Sequence, residues 1–212
     1  MLNLAEVRLL IFSFGSTSSG IPPEWAATES APGVNLLLDL SEASTSEVTD
    51  RIIALRRPGD LVVVSIHWGT NWGYHISDEQ QVFARTLIDQ ADVSIVHGHS
   101  SHHPRAIEIY RDRLILYGCG DFLNDYEGIR GYERYRDDLA LMYFADLDTT
   151  DGHLHALKLV PLQIRKFRLS IPERRDIEWI LKTLDSECLR FETRVALDSE
   201  GQLAVTRQVA GA

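Results

Sequence analysis

Four of the eight histidines of this chain lie within seven residues, in the stretch HGHSSHH at positions 97–103. Only glycine and serine separate these histidines, so several imidazole rings can approach one another. Histidine is the most common metal ligand in proteins, and its unperturbed pKa lies near neutrality. The stretch therefore predicts metal binding or proton transfer. The alternative is a solvated loop whose polar side chains have no common function.

A further histidine, His67, ends the apolar run VVVSIH, and the cluster follows a second apolar run, DVSIV. Such runs are typical of strands that are covered on both faces of a parallel sheet. Ligands of open α/β sheets bind at the carboxyl ends of these strands. We therefore expect His67, His99 and His102 to lie close together, where three neutral imidazoles could hold a zinc-like ion. The alternative for His67 alone is a buried histidine with satisfied hydrogen bonds.

A third strand end carries carboxylates, because the run RLILYGCG leads directly into Asp121. A carboxylate in this position can orient a metal-binding histidine through its second ring nitrogen. We predict this role for Asp121, against the alternative of a glycine-rich turn with solvated acids. We interpret Asp125 and Glu127 as solvated acids in such a turn. Cys119 has apolar neighbours, and we interpret it as a small buried residue rather than a nucleophile.

The elements that position these residues follow from the periodicity of the sequence. Strands are predicted over 7–15, 60–69 and 92–98, and helices over 45–57, 77–90 and 173–188. The helix at 77–90 has Ser77 and Gln80 in capping-box positions. Its apolar stripe is predicted to consist of Val82, Phe83, Leu87 and Ile88. Alternating strands and helices favour right-handed crossovers and a mainly parallel sheet.

The second half of the chain predicts antiparallel strands. A hairpin is expected around RDR at 111–113, another around TTDG at 149–152, and a short β tail over 194–205. Turn residues flanked by β-branched and aromatic runs are typical of such hairpins. We therefore expect antiparallel strands to join the parallel core and form a mixed sheet.

Composition narrows the class of protein. The formal net charge of −10 argues against nucleic acid and anionic membrane surfaces as partners. A phosphorylated or polyanionic substrate is compatible with this negative charge, because a bound cation can reverse the electrostatic field around it. The chain has two cysteines, no run of about 20 apolar residues and no recognisable leader segment. These features predict a cytoplasmic protein without a membrane segment.

Three motifs resemble those of the CapA-type capsule-synthesis family, which is associated with bacterial poly-γ-glutamate synthesis. They are His67-Trp68-Gly69, the Gly-His-x-x-His motif over 98–102, and Gly120-Asp121-Phe122, in the order that the family has. The resemblance covers roughly residues 7–170. The family belongs to the metallo-dependent phosphatase-like superfamily. The resemblance thus implies an α/β fold, a metallophosphatase-like layered sandwich with a mixed sheet.

The resemblance also implies a function for the motifs. It implies a divalent metal ion of the Mn, Zn or Fe class held by His67, His99 and His102, with His99, His102 and Asp121 as catalytic residues. If the chain is an enzyme, the implied activity is that of a metal-dependent phosphoesterase. Two alternatives stay open: a non-catalytic binding protein with a structural histidine cluster, and a mononuclear metal-dependent hydrolase of another ester.

The sequence departs from the family pattern in two places. Asp121 stands where the family often has asparagine, and no opening metal motifs are found within residues 1–60. The resemblance therefore implies that residues 1–170 are the C-terminal portion of the family domain, without its N-terminal part. The helix and β tail over 171–212 are expected to pack on the same domain. An exposed sheet edge could pair with another copy, so we also expect oligomers.

Overall fold

The computed structural model describes residues 2–4, 7–126 and 128–208. Their strands are β1 (Leu2–Leu4), β2 (Val7–Ser16), β3 (Leu36–Leu37), β4 (Leu61–His67), β5 (Ile95–His99), β6 (Ile107–Tyr110), β7 (Arg113–Leu116), β8 (Leu139–Leu147), β9 (Leu154–Arg165), β10 (Arg168–Ser170), β11 (Thr193–Leu197) and β12 (Leu203–Arg207). Their α-helices are α1 (Glu42–Leu55), α2 (Asp78–Ala91) and α3 (Arg174–Cys188). Within these residues, no helix has the length and apolar character needed to span a bilayer.

The first sheet has the strand order β1-β2-β4-β5-β7-β6, with β3 beside β2. Strands β2, β4, β5 and β7 run parallel, whereas β1 and β6 are antiparallel to their neighbours. The β6–β7 hairpin turns at Arg111 and Asp112, both of which have positive φ. The predicted parallel core with added antiparallel strands is therefore confirmed.

The second sheet is antiparallel and is built around the long strand β9. β8 pairs with β9 over most of its length, and β10 and β12 also pair with β9. β11 pairs with β12, so the predicted β tail is a hairpin that extends this sheet. Together with the helices, the two sheets form an α/β sandwich, as the family resemblance implied.

One face of the first sheet packs against α1 and α2. On β4, this face consists of Val62, Val64 and Ile66, which are completely buried. They share a core with apolar residues of the two helices, such as Ile52 and Phe83. α2 begins with the predicted capping box, in which the Ser77 hydroxyl accepts from Gln80 N and the Gln80 side chain accepts from Ser77 N.

The prediction of the α2 stripe was wrong at one position. Val82 is 62% exposed, whereas Phe83 and Leu87 are buried. Successive residues of a helix point about 100° apart, so Val82 lies beside the covered stripe rather than within it.

The opposite face of the first sheet is covered unevenly. The side chains of Leu114 and Leu116 on β7 share a second core with the second sheet and α3, represented by Leu159 and Ile180. On β4 and β5 the residues that face this way are only half-buried; they are Val63, Ser65, His67, Ile95, His97 and His99. The histidines therefore lie where the second layer of the sandwich covers the sheet incompletely.

Candidate metal and proton-transfer site

His67 and His99 lie side by side at the carboxyl ends of β4 and β5. The parallel register pairs these two residues directly. Their Nδ1 atoms are 3.0 Å apart and their ring centroids 5.0 Å apart. The predicted proximity of the two rings is confirmed, and it follows from the shared polarity of the strands. Their role as metal ligands stays a prediction.

The pair continues into a chain of polar groups along the same face. The Ser65 hydroxyl lies 3.3 Å from His99 Nε2 and 3.0 Å from His97 Nδ1. His97 and His99 line an open groove of about 540 Å³, whose other walls are mostly apolar and include Ile95 and Met142. A ligand in this groove would therefore meet polar atoms chiefly along the histidine chain.

Burial keeps these imidazoles neutral. Burial, together with the neighbouring His97 and His67, lowers the pKa of His99 to about 4. The pKa values of His67 and His97 are also lowered, mainly by burial. A metal ion binds the neutral form of histidine, so at pH 7 no proton has to be displaced before these rings could act as ligands.

His102 is held in a separate hydrogen-bonded group with Asp121 and Tyr126. Its Nδ1 lies 3.1 Å from Asp121 Oδ2 and 3.0 Å from the Tyr126 hydroxyl oxygen. The Tyr126 hydroxyl donates to Asp121 Oδ2 at 2.6 Å. Because the carboxylate can only accept, we infer that His102 carries its proton on Nδ1. Asp121 thus makes the contact that the sequence analysis predicted for it.

Two of the three predicted metal ligands have a spacing that suits a metal ion. A tetrahedral ion with Zn–N bonds of about 2.0–2.1 Å holds two of its nitrogens about 3.3 Å apart, close to the spacing of the His67 and His99 Nδ1 atoms. His102 contacts Asp121 through Nδ1, so of its two ring nitrogens Nε2 is the one that could reach an ion. Among the described residues, no group of three His, Cys, Asp or Glu side chains is arranged to hold a metal ion. Two donors are therefore in place, and His102 as the third stays a prediction.

The remaining candidates have other environments. His103 is completely buried, accepts a hydrogen bond from Gly73 N at 3.1 Å and stacks on Tyr135. Asp125 is exposed, in keeping with a solvated acid, and Glu127 lies outside the described residues. Burial raises the pKa of the Cys119 thiol to about 12, which disfavours the thiolate that a nucleophile would need.

Sequence reasoning missed several residues of the site. Tyr126 and Asn124 both donate to Asp121, Ser65 links two histidines, and the Trp72 ring lies 5.1 Å from that of His102. All four lie within four residues of the motifs that were singled out. No periodicity marks them, because their roles depend on how loops fold back on the strand ends. Proximity to a motif is the only signal that could have found them.

Residues 1–126 match the protein family described as bacterial capsule synthesis protein PGA_cap. The chain belongs to this family. The matched segment includes both histidine strands and the loop with Asp121, so the site lies inside the part of the chain that carries the PGA_cap match. The expected family is confirmed.

The similarity of the chain to curated relatives agrees with this family assignment. A probable polyglutamine synthesis accessory protein of Mycobacterium tuberculosis is 43% identical over 201 residues, which are 94% of this chain and 53% of the relative. The capsule biosynthesis protein CapA of Bacillus anthracis is 31% identical over 107 residues, 50% of this chain and 24% of the relative. The PGA biosynthesis protein CapA of Bacillus subtilis is 31% identical over 119 residues, covering 56% and 28%. This PGA_cap chain spans about half the length of the Mycobacterium relative.

Proposed function

We propose that this PGA_cap chain takes part in the synthesis of a capsule or another polyanionic polymer of the poly-γ-glutamate type, and that His67 and His99 bind a divalent metal ion there. The biological role is supported by the family match and by the names of the relatives. The proposed chemistry is metal-dependent phosphoester hydrolysis at the His67–His99 pair, next to the groove that His97 and His99 line.

The single observation that carries the metal proposal is the convergence of His67 and His99. Two neutral nitrogens 3.0 Å apart, from neighbouring parallel strands, have the donor type and spacing that a zinc-like ion requires. An ion bound there would polarise a phosphate oxygen and lower the pKa of a bound water.

His102 has a different task in this proposal. Asp121 accepts from Nδ1 of His102, which leaves Nε2 as the nitrogen that can exchange a proton with water or a leaving group. The Tyr126 hydroxyl, by donating to Asp121, restrains the carboxylate that sets the orientation of this ring. Asp121 and Tyr126 thus act through His102, as outer partners of catalytic histidines commonly do.

The experiment is a hydrolysis assay on the purified chain. A generic phosphodiester is incubated with the protein and Mn²⁺, Zn²⁺ or Mg²⁺, before and after treatment with a chelator. We expect hydrolysis with at least one ion, its loss on chelation, and its loss in His99→Ala. The matched control is His155→Ala, because His155 is exposed on β9 in the second sheet.

Each result separates the proposal from its alternatives. Equal hydrolysis by the wild type and His99→Ala would contradict the assigned role of His99. Metal binding without hydrolysis of any phosphoester would favour a binding protein, and metal-dependent cleavage of carboxylic esters alone would favour a hydrolase of another ester class.

A further inference from the structure

A second cavity lies on the helix-covered side of the first sheet, at the carboxyl ends of β2 and β4. Its volume is about 610 Å³, and it shares no lining residue with the histidine groove. Its walls are the loop Ser16–Ser18, Gly69 and Thr70 after β4, the residues that begin α1 and α2, and Arg105. This place in an α/β sheet is where small ligands commonly bind.

Arg105 is the unusual member of the lining. It is only 1% exposed, and its Nη2 donates to the carbonyl oxygen and the hydroxyl of Thr70 at 2.6 and 2.7 Å. Its Nε is buried without a hydrogen-bond partner, and no carboxylate contributes to its pKa, which burial lowers. A buried cation without an anion is costly, so the protein gains if an anion joins it.

Gln80 adds a second unsatisfied donor at the same place. Its Oε1 accepts from Ser77 N in the capping box, whereas its buried Nε2 has no partner. A Cβ added to Gly69 would lie 2.9 Å from Gln80 Nε2 and 3.3 Å from Arg105 Nη1. Two donors therefore flank Gly69, which has a φ of +72°, a conformation that glycine adopts without strain.

Helix and loop groups complete the surroundings. Gln80 lies in the first turn of α2, where the helix dipole favours negative charge. The hydroxyls of Ser16 and Ser18, 2.9 Å apart, form another wall, and Gly69 N donates to the Ser18 hydroxyl. All of these groups can donate to, or orient, the oxygens of an anion.

Two acids also line the cavity, and neither neutralises Arg105. Asp39 Oδ1 accepts from the backbone N and the hydroxyl of Ser41 and from the Ser44 hydroxyl, which lowers the pKa of Asp39 and keeps its charge at the start of α1. Glu79 is exposed on α2. The deepest charged group is therefore the arginine, which favours a small ligand with one anionic group over an extended polyanion.

We propose that this cavity binds the oxyanion group of a small ligand, a carboxylate or a phosphate, through Arg105 and Gln80. A guanidinium offers planar, paired donors that match both anions. The site lies on the other side of the sheet from the histidine groove, and it does not depend on a metal ion.

The test is isothermal titration of the full chain, treated with a chelator, in a buffer free of phosphate and carboxylates. One arm titrates inorganic phosphate and the other L-glutamate, so that the arms distinguish the two anions. We expect saturable binding of at least one anion, weakened at least about tenfold in Arg105→Met and in Gln80→Leu, because each variant removes a hydrogen bond to a charged group.

Arg174→Met is the matched control, because Arg174 is an exposed arginine on α3 and should leave the affinity unchanged. Circular dichroism melts show whether each variant is folded. If Arg105→Met does not fold, the anion affinity of Gln80→Leu alone tests the proposal. Absence of saturable binding of both anions, or wild-type affinity in a folded Gln80→Leu protein, would overturn the proposal. Chelation removes any ion from His67 and His99, so failure of the metal proposal would not alter these outcomes.

Discussion

The two faces of β4 differ although they alternate along the same seven residues. Val62, Val64 and Ile66 are completely buried under α1 and α2, whereas Ser65 and His67 on the opposite face are only half-buried. The first face resembles an ordinary apolar core. The second carries a hydrogen-bonded chain of histidines that contributes little apolar burial. The difference indicates that one face maintains the fold while the other is available for chemistry, and substitutions on each can test this division.

The largest expected effect concerns the open face and His102. His102→Ala should lower phosphodiester hydrolysis by about 10²–10⁴-fold, because general acid–base catalysis contributes about that much. Metal affinity should change little, because the proposal places the ion on His67 and His99 and gives His102 the proton transfer. Steady-state kinetics and a metal titration on the same preparation give both values. Loss of metal affinity in this variant would instead assign His102 as a ligand.

On the covered face, Ile66→Ala should destabilise the protein by about 2–5 kcal/mol, because it leaves a cavity in a fully packed core. Urea denaturation gives this free energy of unfolding. The control is Val82→Ala, because Val82 is 62% exposed on α2 and its truncation should cost about 0.5 kcal/mol or less. Similar losses from both substitutions would remove the distinction between a covered and an open face.

Asp121→Asn should have a smaller effect on hydrolysis than His102→Ala. Removal of an outer partner of a functional histidine typically costs about 10–100-fold, and asparagine would keep a similar shape without the charge. We expect kcat to fall while KM changes little, because the amide can no longer hold the His102 ring through a carboxylate hydrogen bond. A fall in folding stability with an unchanged kcat would show that Asp121 is only structural.

A further expected effect is the dependence of folding stability on pH. Burial lowers the pKa of His99 and of His103 to about 4, below the value of about 6.5 expected in the unfolded chain. As the pH falls below 6.5, the unfolded state binds protons that the folded state does not, so stability falls until the pH nears 4. Thermal melts of chelator-treated protein between pH 7.5 and 5 should show this loss of stability. Most carboxylates titrate at lower pH, so they contribute little over this interval. A flat melting temperature over that range would contradict the burial of these rings as neutral groups.

Much of the fold could be predicted because its signals are local. The continuous apolar run before His67 predicted strand β4, although the expected cover on both faces was wrong because one face is only half-buried, and Ser77 with Gln80 defines the start of α2. The pairing of His67 with His99 followed from strand polarity alone. In each case a short stretch of sequence, or one topological rule, determines the geometry.

The rest depends on contacts between distant segments. Tyr126 reaches the His102–Asp121 pair because the loop after β7 folds back, and no pattern in the sequence specifies that path. Arg105 follows the histidine cluster directly, yet its burial beside Gln80 depends on how α2 packs. Val82 was assigned to the core because apolar character alone does not show how wide the covered stripe of a helix is.

The most direct test of the central claim is the binding of Zn²⁺ or Mn²⁺ to chelator-treated protein, measured by equilibrium titration with stoichiometry. The wild type and the His155→Ala control should each bind one ion per chain with the same affinity. His67→Ala and His99→Ala should each lose more than the roughly 10–100-fold that an outer partner contributes to metal affinity. Undiminished binding by both variants, or no binding by the wild type, would contradict the assignment of His67 and His99 as the metal-binding pair.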